Sequence, residues 1–291
     1  MPNTFSFQAI GTIWNITTDE RPLEEKEKET LLAYIADFEK RFSRFLPDSE
    51  VNQFKTAVAG SYQISAELAK LLQRASELRT QSQGRFDPAV AGLLERAGYD
   101  ASYTLTPKPE ADSFTLPSWD IDGATLILEG PASFDLGGIG KGYAIDMMSG
   151  LLSGLGFECY LVEAGGDAFG TRKQNGQPWR VAVQYPGKPD TAAGLLTLSH
   201  QGVAASDIFR RRWKNWNHIV DPKQNRAVTK IIGAVACANT AWDADCMTSA
   251  LFFCSEENYS EVSRHYQATY LVFQDDDTCL ISPEWEGELF H

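Results

Sequence analysis

Residues 133–146 read Ser-Phe-Asp-Leu-Gly-Gly-Ile-Gly-Lys-Gly-Tyr-Ala-Ile-Asp. The stretch reads as a strand end, a glycine loop and the start of a helix. A Walker loop needs a glycine, four residues, then Gly-Lys-Ser/Thr. Here Asp135 stands five before Gly140 and Gly142 follows Lys141, so that motif fails. A dinucleotide fingerprint starting at Gly138 needs glycine at 143, which is Tyr143. General physics remains. Glycines let the backbone approach a ligand, the following helix offers free N–H groups, and Lys141 adds a cation, a combination suited to a pyrophosphate. A tight turn carrying a surface lysine fits the spacing equally well.

Outward from this joint, strands and helices alternate loosely, so the class is mixed α and β. Phe5–Thr17 alternates apolar and polar residues and predicts a strand with an irregularity at Gly11. Leu23–Phe45 predicts a helix with Leu31, Ile35, Phe38, Phe42 and Phe45 on one face and Pro47 as its stop. Ser65–Gln83 predicts a second, capped by Ser65 and closed by Gly84. A short helix follows Pro88. Short strands are expected at Ala124–Leu128, Tyr160–Glu163, Trp179–Val183, Leu195–Leu198, Gly202–Ala205 and Gly233–Ala238, and an apolar helix at Ala244–Phe253. The chain reads as a single domain over residues 1–291, with the proline-bearing stretch Tyr103–Pro117 as the candidate boundary between halves.

Composition narrows the function. The 291 residues carry 26 Lys and Arg against 39 Asp and Glu, a net charge of −13. Such a chain repels phosphate backbones unless it has a local basic stripe or a metal, which argues against nucleic acid as a partner. No apolar run reaches the ~18–20 residues that span a bilayer. The N-terminus has neither a basic n-region nor an apolar h-region, and the five cysteines form no CxxC pair. Reduced, buried thiols and a cytoplasmic location are the expectation.

Four further segments carry candidate chemistry. In Ala244–Leu251, a helix would put Asp245 and Ser249 on one face, able to hold a hard cation such as Mg²⁺, though Asp245 could instead cap and Ser249 merely pack. In Asn217–Pro222, His218 precedes a short apolar strand and a turn, as a general base or a structural histidine. In Gly84–Pro88, Asp87 could accept from a ribose or adenine or cap the helix that Pro88 opens. In Val162–Asp167, paired glycines imply close packing or a turn.

The order of these segments resembles the ApbE family, the FAD:protein FMN transferases. The resemblance runs through Gly11-Thr12, Phe45–Glu50, Gly84–Pro88, Asp135–Gly142, Asp146, Gly165–Asp167, His218–Pro222 and Ala244–Leu251, about residues 9 to 255. It implies an α+β, T-fold-like architecture of two related α/β halves with FAD between them. It implies Mg²⁺-assisted cleavage of FAD, transfer of FMN through a phosphoester to a threonine or serine of a target flavoprotein's FMN-binding domain, and release of AMP. Some relatives instead hydrolyse FAD to FMN and AMP, and a non-catalytic flavin-binding protein is the third reading. Carried over, the metal falls to Asp245, Ser249 and the Gly138 carbonyl. FAD contacts fall to Ile10, Phe45, Arg85, Phe86, Asp87, Asp135 and Lys141. His218 takes the place of the base, and an unperturbed imidazole would tie transfer to a pKa of about 6.5. Two departures stand out: Ser249 replaces the usual threonine, and Ala205-Ser206-Asp207 replaces Thr-Ser-Gly, adding a charge.

Overall fold

The computed structural model describes residues 2–290. Its centre is an eight-stranded, wholly antiparallel sheet. In spatial order the strands are Asn3–Ala9, Thr12–Thr18, Tyr160–Ala164, Asp167–Gly170, Gln201–Asp207, Ile231–Ala238, Thr269–Gln274 and Cys279–Ile281. That order is also their order along the chain. Six helices accompany them: α1 (Glu25–Phe42), α2 (Ala66–Gln81), α3 (Ala91–Arg96), α4 (Gly140–Gly154), α5 (Ala241–Phe253) and α6 (Tyr259–Tyr266).

The first predicted strand is a hairpin. Ile10 and Gly11 both have positive φ, +43° and +73°, which reverses the chain in two residues. Phe5 then faces Ile16, and Phe7 faces Trp14. The alternation spans both arms because both lie in one sheet. A second hairpin turns at Gly165-Gly166, again with positive φ at both.

Two strands, a helix and two strands occur twice: first with α4 between Thr12–Thr18 and Tyr160–Ala164, then with α5 between Ile231–Ala238 and Thr269–Gln274. The join between these units falls at residues 171–200. Tyr103–Pro117 lies inside the first unit, in the long insertion ahead of α4. That insertion holds α1 to α3 and a three-stranded sheet of Gly60–Gln63, Thr125–Leu128 and Trp119–Asp122. Trp179–Tyr185, Lys188–Leu198 and Glu288–Leu289 form another small sheet.

Helix limits follow local chemistry. α1 ends at Phe42, before Pro47, because Ser43 turns extended and Arg44 leaves for an interior ion pair. Its stripe Leu31, Ile35, Phe38 and Phe42 is buried. In α2, Ser65 accepts from the Leu68 N–H at 3.1 Å, and Leu68, Leu71, Leu72, Ala75 and Leu78 are buried. α5 is apolar on nearly every face and all but Asp243 is buried, as expected of a helix inside a core. None of the described helices is long and apolar enough to cross a membrane. The cysteines are unbridged. Three are buried, but Cys159 is half-buried and Cys279 exposed, so burial holds for only part of the set.

α4 and α5 touch through glycine. A Cβ on Gly142 would collide with the Ala241 carbonyl oxygen and stand 2.7 Å from Asp245 Cβ. The last glycine of the loop is therefore a packing residue. Gly142→Ala must push the helices apart. We expect a loss of about 1–3 kcal/mol, the usual cost of overpacking, read as a lower denaturant midpoint with an unchanged m-value.

Candidate active site

The ends of the sheet's hairpins and the first turn of α4 enclose a cavity of about 310 Å³. Among the sequence candidates, Phe86, Asp87, Asp135, Gly138, Lys141, His218 and Ser249 line it. Ile10, Phe45, Arg85 and Asp245 do not. Ile10 supplies the hairpin turn, while its neighbours Gly11 and Thr12 reach the wall. Phe45 stacks on Tyr103 with ring centres 5.6 Å apart and meets Tyr99 edge-on. Arg85 pairs with buried Asp221 at 2.8 Å, tying the Gly84–Pro88 segment to the chain that carries His218.

The glycine loop is held open by specific contacts. Asp135 accepts from Arg44 Nε at 2.6 Å and from the Gly137 N–H at 2.6 Å, so both its oxygens hold structure. Gly138 has Phe86 on one side and Ser249 on the other; a Cβ there would stand 3.0 Å and 3.1 Å from them. The gap lets Ser249 Oγ donate to the Gly138 carbonyl at 2.6 Å. Asp87 realises the capping reading: it accepts from the Ala89 N–H at 2.8 Å and from Trp119 Nε1 at 2.9 Å. Burial pushes its carboxyl above the usual range.

Asp245 does not cap its own helix, a task done by Thr240. It accepts from the Gly142 N–H at 2.9 Å, capping α4 from α5. Burial pushes its carboxyl up to about 7, with Lys141 opposing and Asp167 adding to the rise. One oxygen is engaged, and the carboxyl sits directly behind the cavity floor.

Lys141 is not a free cation. It forms an ion pair with fully buried Asp167, which also accepts from the Ala205 N–H at 3.0 Å. Burial alone would lower the Lys141 ammonium, but Asp167 and then Asp245 outweigh it and raise it. The spacing leaves Lys141 as a cation for a pyrophosphate or a surface lysine on a tight turn, and neither reading reveals this partner. The signal was present in Gly165-Gly-Asp167, which places a carboxylate directly after a tight turn.

His218 donates its backbone N–H to the Arg211 carbonyl at 3.1 Å, and its ring Nδ1 is enclosed with no partner among the described residues. Burial, then the Arg211 guanidinium, depresses its pKa to about 4. Sequence reasoning also missed Arg210 and Arg211, which line the mouth. Arg210 pairs with Asp207 at 3.2 Å and donates to the Gly165 carbonyl. The charge added by Asp207 is thereby taken up locally.

The site thus joins a sharply bent glycine loop, a cluster of oxygen donors and a neutral imidazole, set at one end of a doubled strand-and-helix sheet. That combination defines an α+β protein built around a ligand cavity between two insertions. A model of the ApbE family matches residues 10–272, and the chain belongs to that family. It is 28% identical over 302 positions to a FAD:protein FMN transferase of Haemophilus influenzae, covering 94% of this chain and 87% of that one. It is 24% identical to the FAD:protein FMN transferase of Rhodobacter capsulatus, covering 98% of this chain but only 58% of that protein's length. In structure it is similar to the ApbE protein of Thermotoga maritima, with a TM-score of 0.84, 23% identity and 97% of each chain covered. The flavin transferase ApbE of Vibrio cholerae gives a TM-score of 0.82 at 21% identity, again over 97% of each. Those two likenesses bear on fold.

Removing Asp167 would leave the partly cavity-exposed Lys141 and the Ala205 N–H without their shared carboxylate. Asp167→Ala should cost about 1–3 kcal/mol in thermal or urea unfolding. The paired replacement Lys141→Met with Asp167→Leu should recover most of that loss, which a double-mutant cycle measures.

Proposed function

We propose that this chain is an FMN transferase that takes FAD into the cavity and joins FMN to a serine or threonine hydroxyl of a target flavoprotein. The observation that carries this reading is the meeting of an unpartnered, neutral His218 with the Gly138–Ser249 oxygen pair across one cavity. The hydroxyl oxygen attacks the phosphorus of the FMN moiety. Its proton passes to His218, the bond from that phosphorus to the bridging oxygen breaks, and AMP leaves with the bridging oxygen. An alcohol is a feeble nucleophile near neutral pH, so a base that accepts its proton as the bond forms lowers the barrier. His218 is suited to begin as a base because burial keeps it uncharged.

The donor set fits a hard divalent cation. The Gly138 carbonyl, Ser249 hydroxyl and Asp245 carboxylate are all oxygens, as Mg²⁺ prefers. The same contact that sets Ser249 Oγ against the Gly138 carbonyl brings two of them together. When bound, the ion offsets phosphate charge that an acidic protein otherwise repels. The chain's own residues do the rest. Gly138 and Phe86 shape the floor, Asp135 and Arg44 hold the loop, and Asp87 with Trp119 fixes the opposite wall.

Two outcomes test this. With FAD, Mg²⁺ and an FMN-binding domain, denatured product should carry flavin fluorescence and AMP should appear in equal amount. Release of FMN and AMP with no labelled protein would instead make the chain an FAD pyrophosphatase. His218→Ala should cut transfer at saturating FAD by about 10²–10⁴-fold with little change in FAD binding. The pH profile differs from that of an ordinary histidine. The base must be neutral, so activity governed by His218 should stay flat through pH 6.5 and fall only as pH drops toward about 4. Asp245→Ala, or excess chelator, should abolish turnover. Ser249→Thr should keep it and Ser249→Val should lose it, because only the hydroxyl supplies a donor.

A further inference from the structure

Residues 208–230 carry seven of the chain's 26 Lys and Arg and one of its 39 Asp and Glu. This segment bridges two neighbouring strands of the central sheet, Gln201–Asp207 and Ile231–Ala238, and folds as two small hairpins. Arg212–Trp213 pairs with Trp216–Asn217, and Val220–Asp221 with Arg226–Ala227. His218 lies between them.

The hairpins are anchored inward and charged outward. Trp213 and Trp216 are buried, and Trp213 Nε1 donates to the Ala97 carbonyl at 2.8 Å. Val220 and Ala227 are buried as well. Arg212, Lys214, Lys223 and Arg226 are all exposed, with Lys214 and Lys223 at the two turns. Among the described residues these four form no ion pair, whereas Arg210 is held by Asp207 and Lys230 by Glu256. The acidic groups nearby are already placed: Asp207 on Arg210, and Asp221 on Arg85. Asp112 alone faces Lys108, Lys214 and Arg226 across the groove beside the first hairpin.

Glycine turns fix where this charge sits. Arg211 lies beside Gly11, Lys223 beside Gly84 and Arg210 over Gly166, each glycine at positive φ. Gly11 lines the cavity, as does Gly165 beside Gly166, and Gly84 leads into Phe86 and Asp87. Arg210 and Arg211 therefore line the cavity and Lys223 stands beside the turn that leads into it, while Lys214 and Arg226 line the groove beside the first hairpin, in a chain of net charge −13. An acidic partner, repelled by the chain's net charge, is attracted to this basic segment, which also carries His218.

Resting on the flavin-transfer reading, we propose that the exposed cations of the two hairpins, Arg212, Lys214, Lys223 and Arg226, dock an acidic surface of the acceptor protein next to its acceptor hydroxyl. The partner is defined by its chemistry: carboxylates flanking a serine or threonine.

The test uses the full chain and two fluorescein-labelled peptides. One carries a single threonine among glutamates and glycines; the other has lysine for each glutamate. By anisotropy the acidic peptide should bind, weaken as salt rises, and lose about tenfold or more in affinity to Arg212→Glu with Lys214→Glu. FAD affinity of that variant should stay within about twofold of wild type, because neither residue lines the cavity. Lys223→Glu with Arg226→Glu gives a second, independently folded check on the other hairpin. Equal binding of both peptides, no binding of the acidic one, or an unchanged affinity in both folded variants would overturn the proposal. So would a single-stranded oligonucleotide binding as tightly as the acidic peptide, or a loss of FAD affinity in place of peptide affinity. Failure of the transferase reading shows separately, as absence of FMN transfer by the wild-type chain to any FMN-binding domain.

Discussion

Two carboxylates exchanged between two helices hold this structure together. Asp146 of α4 accepts from the Ala241 and Trp242 N–H groups at 2.9 Å each, capping the start of α5. Asp245 of α5 accepts from the Gly142 N–H at 2.9 Å, capping the start of α4. Each helix supplies the anion that the other's free N–H groups and positive dipole end require. The exchange works only at close range, which is why position 142 must be glycine. It also fixes both helix starts against the same end of the sheet, and the cavity opens there.

Burial gives these carboxyls unusual properties. Asp146 is pushed up to about 6 and Asp245 to about 7, in each case chiefly by loss of water. A third carboxylate, Asp167, adds negative charge behind the same floor and is answered by Lys141. The lysine is thus part of the wall's own charge balance, and it spends its ammonium on protein before any ligand arrives. Lys141 still lines the cavity with an ammonium shared with Asp167, and Arg210 and Arg211 add positive charge at the mouth. An acidic protein can host a diphosphate on those terms without a basic surface overall.

The sequence disclosed the repeated core and its chemistry unevenly. Helical stripes were legible because burial on one face leaves a periodic trace, as in Leu31, Ile35, Phe38 and Phe42. The first hairpin reads as one strand because alternation does not reveal direction. Positive φ at Ile10 is unusual for a β-branched residue and is imposed by the pairing on both sides. Thr269–Gln274 leaves no strand signature in the sequence: it is buried on both faces, so Tyr270, Leu271, Val272 and Phe273 form an unbroken run without alternation. Site residues that pair far along the chain were illegible in principle. Nothing local tells that Asp135 will meet Arg44, that Asp167 will meet Lys141, or that His218 will lose its water and titrate far below an ordinary imidazole.

The doubled sheet alone does not make the cavity. Its walls combine the hairpin turns at Gly11-Thr12 and Gly165, the start of α4 and the end of α5 with two insertions, 19–139 in the first unit and 208–230 in the second. They meet over the sheet's end through contacts that include Trp213 to the Ala97 carbonyl, Arg85 to Asp221 at 2.8 Å, and Asn225 to the Phe114 carbonyl at 2.9 Å. Asn225 can turn the second hairpin with φ of +50° and still donate across this seam, which a glycine could not do. Phe86 and Asp87 stand on one side of the seam and His218 on the other. The core sets where the helix starts point, but the distance from base to oxygen donors is set by how the insertions close. A substitution at the seam should therefore disturb the chemistry and cost stability together, because Asp221, Trp213, Trp216 and Val220 are buried there.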